Sequence, residues 1–191
     1  MKIREDTNVN IVIRYILGRD RVDILIKGAR IVDESKDFLG DLYIKNGIIE
    51  DFGVNLDYNC TEIDGEGLVL MPSFIDLHVH FREPGFTHKE DIKTGSKSAA
   101  KGGFTTVVCM ANTNPIVDNE ETLNYIKERA KASSINVLQA CAITKGFKGK
   151  ELVNMKHLKE CGAVGFTDDG LPIMESDVIE NAMLKAKELD V

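Results

Sequence analysis

Three residues spaced two apart carry the most chemistry in this chain: His78, His80 and Arg82. An apolar run at 68–71 leads toward them and Pro72 interrupts it. Phe74 and Ile75 resume the run, which ends at Pro84-Gly85. A short, partly β-branched run of this kind reads as a buried strand opening into a loop. Side chains two apart on a strand share a face. His78 and His80 therefore point the same way at the strand's C-terminal end, where two imidazoles can hold one metal ion. Arg82 sets a planar cation beside them, and a guanidinium grips a carboxylate with two parallel hydrogen bonds. A lone histidine on a strand is commonly a satisfied core residue. A pair followed by Arg-Glu-Pro-Gly reads as a metal site.

The elements that must position these residues follow from the rest of the pattern. Residues 1–21 hold a short apolar stretch, 11–17, that fits helix or strand equally well and suggests an added segment without assigned function. From Val22 to about Gly67, candidate strands at 22–27, 29–32, 38–45 and 48–52 are broken by turn residues. Asn46-Gly47 is a strong hairpin signal. Short strands of this kind predict a small β-sandwich domain with a structural role. After Leu68 the grammar becomes strand, loop, helix, repeated. Thr87-His-Lys-Glu90 fits a capping box that starts a helix through about Lys101, closed by Gly102-Gly103. A second strand is predicted at 104–110, then a helix begun by Asp118-x-x-Glu121. A third strand spans 135–143, and residues 151–160 read as helix. The fourth strand is 163–166, and Ser176 is a candidate cap for the last helix. Helix-linked strands run parallel, and nearly uniform apolar strands predict a sheet covered on both sides. A (β/α)8 barrel has eight such units in about 250 residues. Residues 68–191 supply four, so the predicted fold is α/β, the first half of a TIM barrel behind a small β-domain. The chain is accordingly expected to be the N-terminal portion of a longer enzyme.

Function in a barrel gathers at the C-terminal strand ends. Strand two offers Asn112 there, strand three Thr144 and Lys145, and strand four Asp168-Asp169-Gly170. Asn112 has both a donor and an acceptor for a small polar substrate, or forms an Asx turn before Pro115. Asp168 and Asp169 are a turn or a metal-ligating carboxylate, and spacing alone leaves open which of the two faces a metal. His88 and His157 read as surface residues, and Glu83-Pro84-Gly85 as the shape of the loop carrying Arg82.

The string Asp76-Leu-His-Val-His-Phe-Arg-Glu-Pro-Gly85 resembles the first metal motif of bacterial dihydroorotases, of the amidohydrolase superfamily. The resemblance runs from about Val22 to the last residue. It implies a zinc-dependent cyclic amide hydrolase, binuclear when complete, with His78, His80 and Asp169 as metal ligands. Asp169 is chosen because the string Phe166-Thr-Asp-Asp-Gly170 is similar to a family motif whose Asp replaces a carboxylated lysine. His80, Arg82 and Asn112 would meet the substrate. Met110-Ala-Asn-Thr113 departs from the family's Met-Pro-Asn-Thr by Ala111 but keeps the Asn. The implied reaction is attack of hydroxide on the ring amide of dihydroorotate, giving N-carbamoyl-L-aspartate. Its reverse serves pyrimidine biosynthesis. The family's general acid–base Asp would lie beyond Val191, so no catalytic residue is placed, and the polypeptide alone is expected to be inactive. A homo-oligomer and a complex with aspartate transcarbamoylase are further possibilities the resemblance raises. The alternatives are an allantoinase- or hydantoinase-type amidase, against which Arg82 argues, and a non-catalytic scaffold, against which the histidines argue.

Composition bounds the remaining choices. The chain has 191 residues, 43% of them hydrophobic, and a formal net charge of −7. That is enough for a real core, and with no basic cluster it makes nucleic acid an unsuitable partner. There is no apolar run long enough to span a bilayer and no signal-peptide pattern at the start, so no membrane role is predicted. Cys60, Cys109, Cys141 and Cys161 show no C-x-x-C spacing and read as free thiols of a reducing cytoplasm.

Overall fold

A computed structural model describes residues 23–191. The segment 1–21 lies outside the described residues. The chain divides into two units, with the boundary between Phe74 and Ile75.

The first unit is a five-stranded sheet, with β1 Ile24–Val32, β2 Asp37–Lys45, β3 Ile48–Gly53, β4 Thr61–Asp64 and β5 Val69–Leu70. The strand order is β3-β2-β1-β4, with β5 also pairing β1. The two strands predicted at 22–27 and 29–32 are one strand. Its register with β2 shifts between Ile26 and Ala29, and Gly28 stands at φ 71 there. A one-residue irregularity at a glycine bends a strand without ending it, so the sequence shows a break where the backbone has only a kink. Asn46 and Gly47 turn β2 into β3 with φ of 53 and 80, the left-handed pair a tight hairpin demands. Ile24, Ile31, Leu42 and Ile44 form this unit's core. Val69 and Leu70, read from the sequence as the lead-in to the barrel strands, pair instead with Arg30 and Ile31 of β1.

The second unit follows the strand–helix alternation. β6 is Phe74–Val79, β7 Phe104–Cys109, β8 Asn136–Cys141 and β9 Gly165–Phe166, in the order β6-β7-β8-β9. β7, β8 and β9 pair in parallel. The helices are α1 Ile92–Lys101, α2 Glu120–Ala130, α3 Met155–Glu160 and α4 Ser176–Leu189. The sheet curls as half a barrel, and its core packs Ile92, Leu123, Ile126, Met155 and Leu158 against Ala111, Cys141 and Ala142.

Several boundaries differ from the prediction for identifiable reasons. The first helix starts at Ile92, capped by Asp91, whose side chain accepts from Thr94 N while the Thr94 side chain returns to the Asp91 backbone. This box sits four residues past the predicted Thr87 box and outcompetes it because Phe86 and Lys89 close a turn first. α2 is capped by Asn119 rather than Asp118, which accepts instead from Gly146 N. α3 begins only at Met155, because Asn154 caps it and Val153 and Lys145 bond loop carbonyls upstream. Ser176 lies inside α4 and makes no cap bond; its hydroxyl meets Asp177. β6 was predicted to be buried, yet Ile75 and Leu77 are 50% and 70% exposed. It is the sheet's edge strand.

Candidate metal centre

His78 belongs to β6, and His80 stands one residue past the strand's last residue, Val79. Their rings lie edge-on, with centroids 5.1 Å apart. The shared-face expectation therefore holds for the pair. It does not extend to Arg82. The strand has ended by then, and the Arg82 carbonyl accepts from Phe86 N at 2.9 Å in a loop turn. Arg82 is half-buried, and its guanidinium forms no ion pair among the described residues.

Residues that follow β7 and β9 complete the cluster. His78 Nε2 is 3.2 Å from Asp169 Oδ1, and His80 Nε2 is 3.6 Å from Asp169 Oδ2. The three ligand atoms lie within 4.8 Å of one another. Around a tetrahedral ion held at about 2.0–2.1 Å, neighbouring nitrogen and oxygen ligands stand about 3.4 Å apart. The observed separations of 3.2 and 3.6 Å lie near that value, so the three side chains stand close enough together to share a divalent metal.

Asn112 joins the group from the loop after β7. Its Nδ2 donates to Asp169 Oδ2 at 3.1 Å, and its Oδ1 is 2.9 Å from His80 Nδ1. A carboxylate can only accept, so the amide presents its nitrogen to Asp169 and its oxygen to His80. His80 then carries its proton on Nδ1 and offers the Nε2 lone pair toward the cluster. Metal-binding histidines are oriented by this kind of second hydrogen bond. Sequence reasoning reserved Asn112 for substrate. The structure bonds it to His80 and Asp169, leaving one amide N–H uncommitted among the described residues.

The two adjacent carboxylates are separated by their surroundings. Asp168 is 7% exposed and accepts from Ile143 N at 2.7 Å, Thr144 N at 3.1 Å and the Thr144 hydroxyl. Those bonds tie the end of β9 to the loop after β8. Asp169, the next residue, faces the histidines. Thr144 is thus a buried support for Asp168, and Lys145 pairs with Glu151, so neither joins the cluster.

Glu83 is where sequence reasoning saw too little. It is 3% exposed and binds Ile92 N at 3.0 Å, Tyr125 Oη at 3.0 Å and Arg129 Nε at 2.7 Å. It fastens the loop carrying Arg82 to α1 and α2. The charged residue beside Pro84 looked like loop shape only, because its partners lie up to 46 residues away. His88 is exposed in the turn before α1, as predicted, and stacks edge-on near Phe86.

A curled parallel β/α sheet with two histidines and an aspartate gathered at its strand ends defines a half-barrel of the amidohydrolase class. A sequence profile described as Dihydro-orotase-like matches residues 67–191, and the chain belongs to that family. It is 60% identical over 172 residues to the dihydroorotase of Clostridioides difficile, covering 88% of this chain and 41% of that protein. The dihydroorotase of Clostridium acetobutylicum is 54% identical over 171 residues, covering 90% of this chain and 37% of its own length. The chain thus spans about two fifths of these relatives. In fold it is similar to an L-hydantoinase from Arthrobacter aurescens, with a TM-score of 0.74 at 19% identity over 88% of this chain and 39% of that one. A dihydroorotase crystal structure aligns at a TM-score of 0.63 and 17% identity, covering 90% of this chain and 50% of the other.

Proposed function

We propose that this chain is the metal-binding and carboxylate-recognising part of a dihydroorotase, which interconverts dihydroorotate and N-carbamoyl-L-aspartate in the cytoplasmic synthesis of pyrimidines. The observation that carries the reading is the linked set His78, His80, Asp169 and Asn112, in a chain 60% identical to a dihydroorotase. Zinc suits two imidazoles and a carboxylate, and a bound zinc supplies polarisation of a carbonyl and acidification of a coordinated water. His78 and His80 offer Nε2 to it, and Asp169 offers its carboxylate. Asn112 holds the proton on His80 Nδ1 and keeps Nε2 free as a donor. Its uncommitted amide N–H and the Arg82 guanidinium bind the substrate carboxylate. Glu83 keeps the Arg82 loop seated while they do so. A hydantoinase-type amidase is the runner-up. Arg82 favours dihydroorotate, because hydantoins need not carry a carboxylate for it to bind.

The test needs a full-length dihydroorotase background that carries these residues. Replacing one partner of a buried charge pair at a recognition site costs about 2–5 kcal/mol. Arg82→Met should therefore lower kcat/KM for dihydroorotate by roughly 30-fold or more. Bound metal should be unchanged, and the loss on a hydantoin without a carboxylate far smaller. Equal losses on both substrates would remove the main support for dihydroorotate.

A further inference from the structure

A second group of donor side chains lies on the helices, apart from the strand ends. Glu120 opens α2, His157 lies in α3, and Cys161 caps that helix one turn later. Residues four apart on a helix are neighbours on one face. His157 Nε2 is 3.6 Å from Cys161 Sγ and 2.8 Å from Glu120 Oε2, and the three donor atoms lie within 4.8 Å of one another. The Cys161 thiol is partly exposed, as are His157 and Glu120.

These separations can be compared with metal geometry. In a tetrahedral site with Zn–S about 2.3 Å and Zn–N about 2.05 Å, the nitrogen–sulfur edge is about 3.6 Å. His157 and Cys161 meet that spacing without movement. The nitrogen–oxygen edge is about 3.4 Å, so the His157–Glu120 bond must open by roughly 0.6 Å. Glu120 can yield that distance, since its side chain is 51% exposed. Its other oxygen accepts from Asn124 Nδ2 at 3.3 Å. The Lys127 ammonium donates to the Cys161 carbonyl and fixes the backbone that carries the thiol.

We propose that Glu120, His157 and Cys161 form a second metal site, for a thiophilic divalent cation such as Zn2+ or Cd2+, that pins α2 to α3. A thiolate, a neutral imidazole and a carboxylate hold the ion, and the fourth position is open to water. Binding releases the Cys161 proton to solvent, and the two anionic ligands neutralise the dication. The site is independent of the strand-end cluster, which contains no sulfur.

Sulfur gives the test its selectivity. Cd2+ added to the reduced chain should produce a thiolate-to-metal charge-transfer absorption that saturates at one ion per chain. Cys161→Ser should abolish it and Cys60→Ser should leave it intact. His157→Ala should weaken Cd2+ binding on the order of tenfold or more, and Glu120→Gln should weaken it in the same direction. A variant-free measurement runs alongside: Cd2+ should protect Cys161, but not Cys60, from iodoacetamide, read by peptide mass. The proposal is overturned by an absent absorption at excess Cd2+, by absorption that survives Cys161→Ser, or by unchanged affinity in His157→Ala. Unprotected Cys161 overturns it as well.

Discussion

One step of backbone gives Asp168 and Asp169 different work. Asp168 is buried and satisfies two backbone N–H groups and the Thr144 hydroxyl. Removing it strands those donors, and a buried unsatisfied donor costs about 1–3 kcal/mol. Asp168→Ala should therefore lower unfolding free energy by about 2–4 kcal/mol, measured by urea denaturation. Asp169 supports no such backbone bonds. Asp169→Asn should unfold within about 1 kcal/mol of the parent yet lose metal retained after dialysis, measured by elemental analysis. Metal loss in Asp168→Asn with retention in Asp169→Asn would reverse the assignment. The sequence could not make this choice by itself, because Asp-Asp-Gly after a strand is compatible with either residue facing inward. The surroundings decide it, and Thr144 lies 24 residues upstream.

The strand–helix alternation was legible because it is written in local periodicity, and so were the hairpin at Asn46-Gly47 and the gathering of His78 with His80. What local pattern could not show was competition between nearby signals. Thr87 reads as the cap, yet the turn closed at Phe86–Lys89 shifts the helix start to Asp91. β6 ends at Val79, so the same-face argument stops at His80. Beyond that point tertiary contacts shape the loop. Pro84 O accepts from Asn114 N at 3.1 Å, joining the loops after β6 and β7. Gly85 sits there at φ 87, where an added Cβ would come within 2.1 Å of the Asn114 carbonyl oxygen. Gly85→Ala is strained in backbone and blocked by backbone at once. It should lower the melting temperature and weaken metal retention, because the displaced loop carries Asn112; calorimetry and metal analysis read both. Glu83→Ala should also destabilise, by about 2–4 kcal/mol, since it leaves Ile92 N without its buried carboxylate.

Taken whole, the chain buries two thiols deeply and leaves two partly open. Burial pushes Cys109 and Cys141 up to about 12, and Cys60 and Cys161 are raised less. Near neutral pH, Cys60 and Cys161 should alkylate in the folded chain, and Cys109 and Cys141 only after denaturant is added. The same shifts set a pH dependence. An unfolded thiol titrates near its ordinary value of 9.0, whereas the folded pair keeps its protons to about 12. Their contribution is full below pH 9 and declines as pH rises through that window, so the urea midpoint should be lower at about pH 10 than at about pH 8. The exposed edge strand β6, with Ile75 and Leu77 uncovered, invites pairing between chains. Sedimentation at micromolar concentration should show self-association of the 191-residue polypeptide. The central claim, that the strand ends hold a metal ion, is tested most directly by anomalous diffraction from crystals soaked in zinc. The account predicts a zinc peak bonded to His78 Nε2, His80 Nε2 and an Asp169 oxygen. A zinc-loaded crystal with no peak among those three side chains, or with the peak on Asp168, would contradict it.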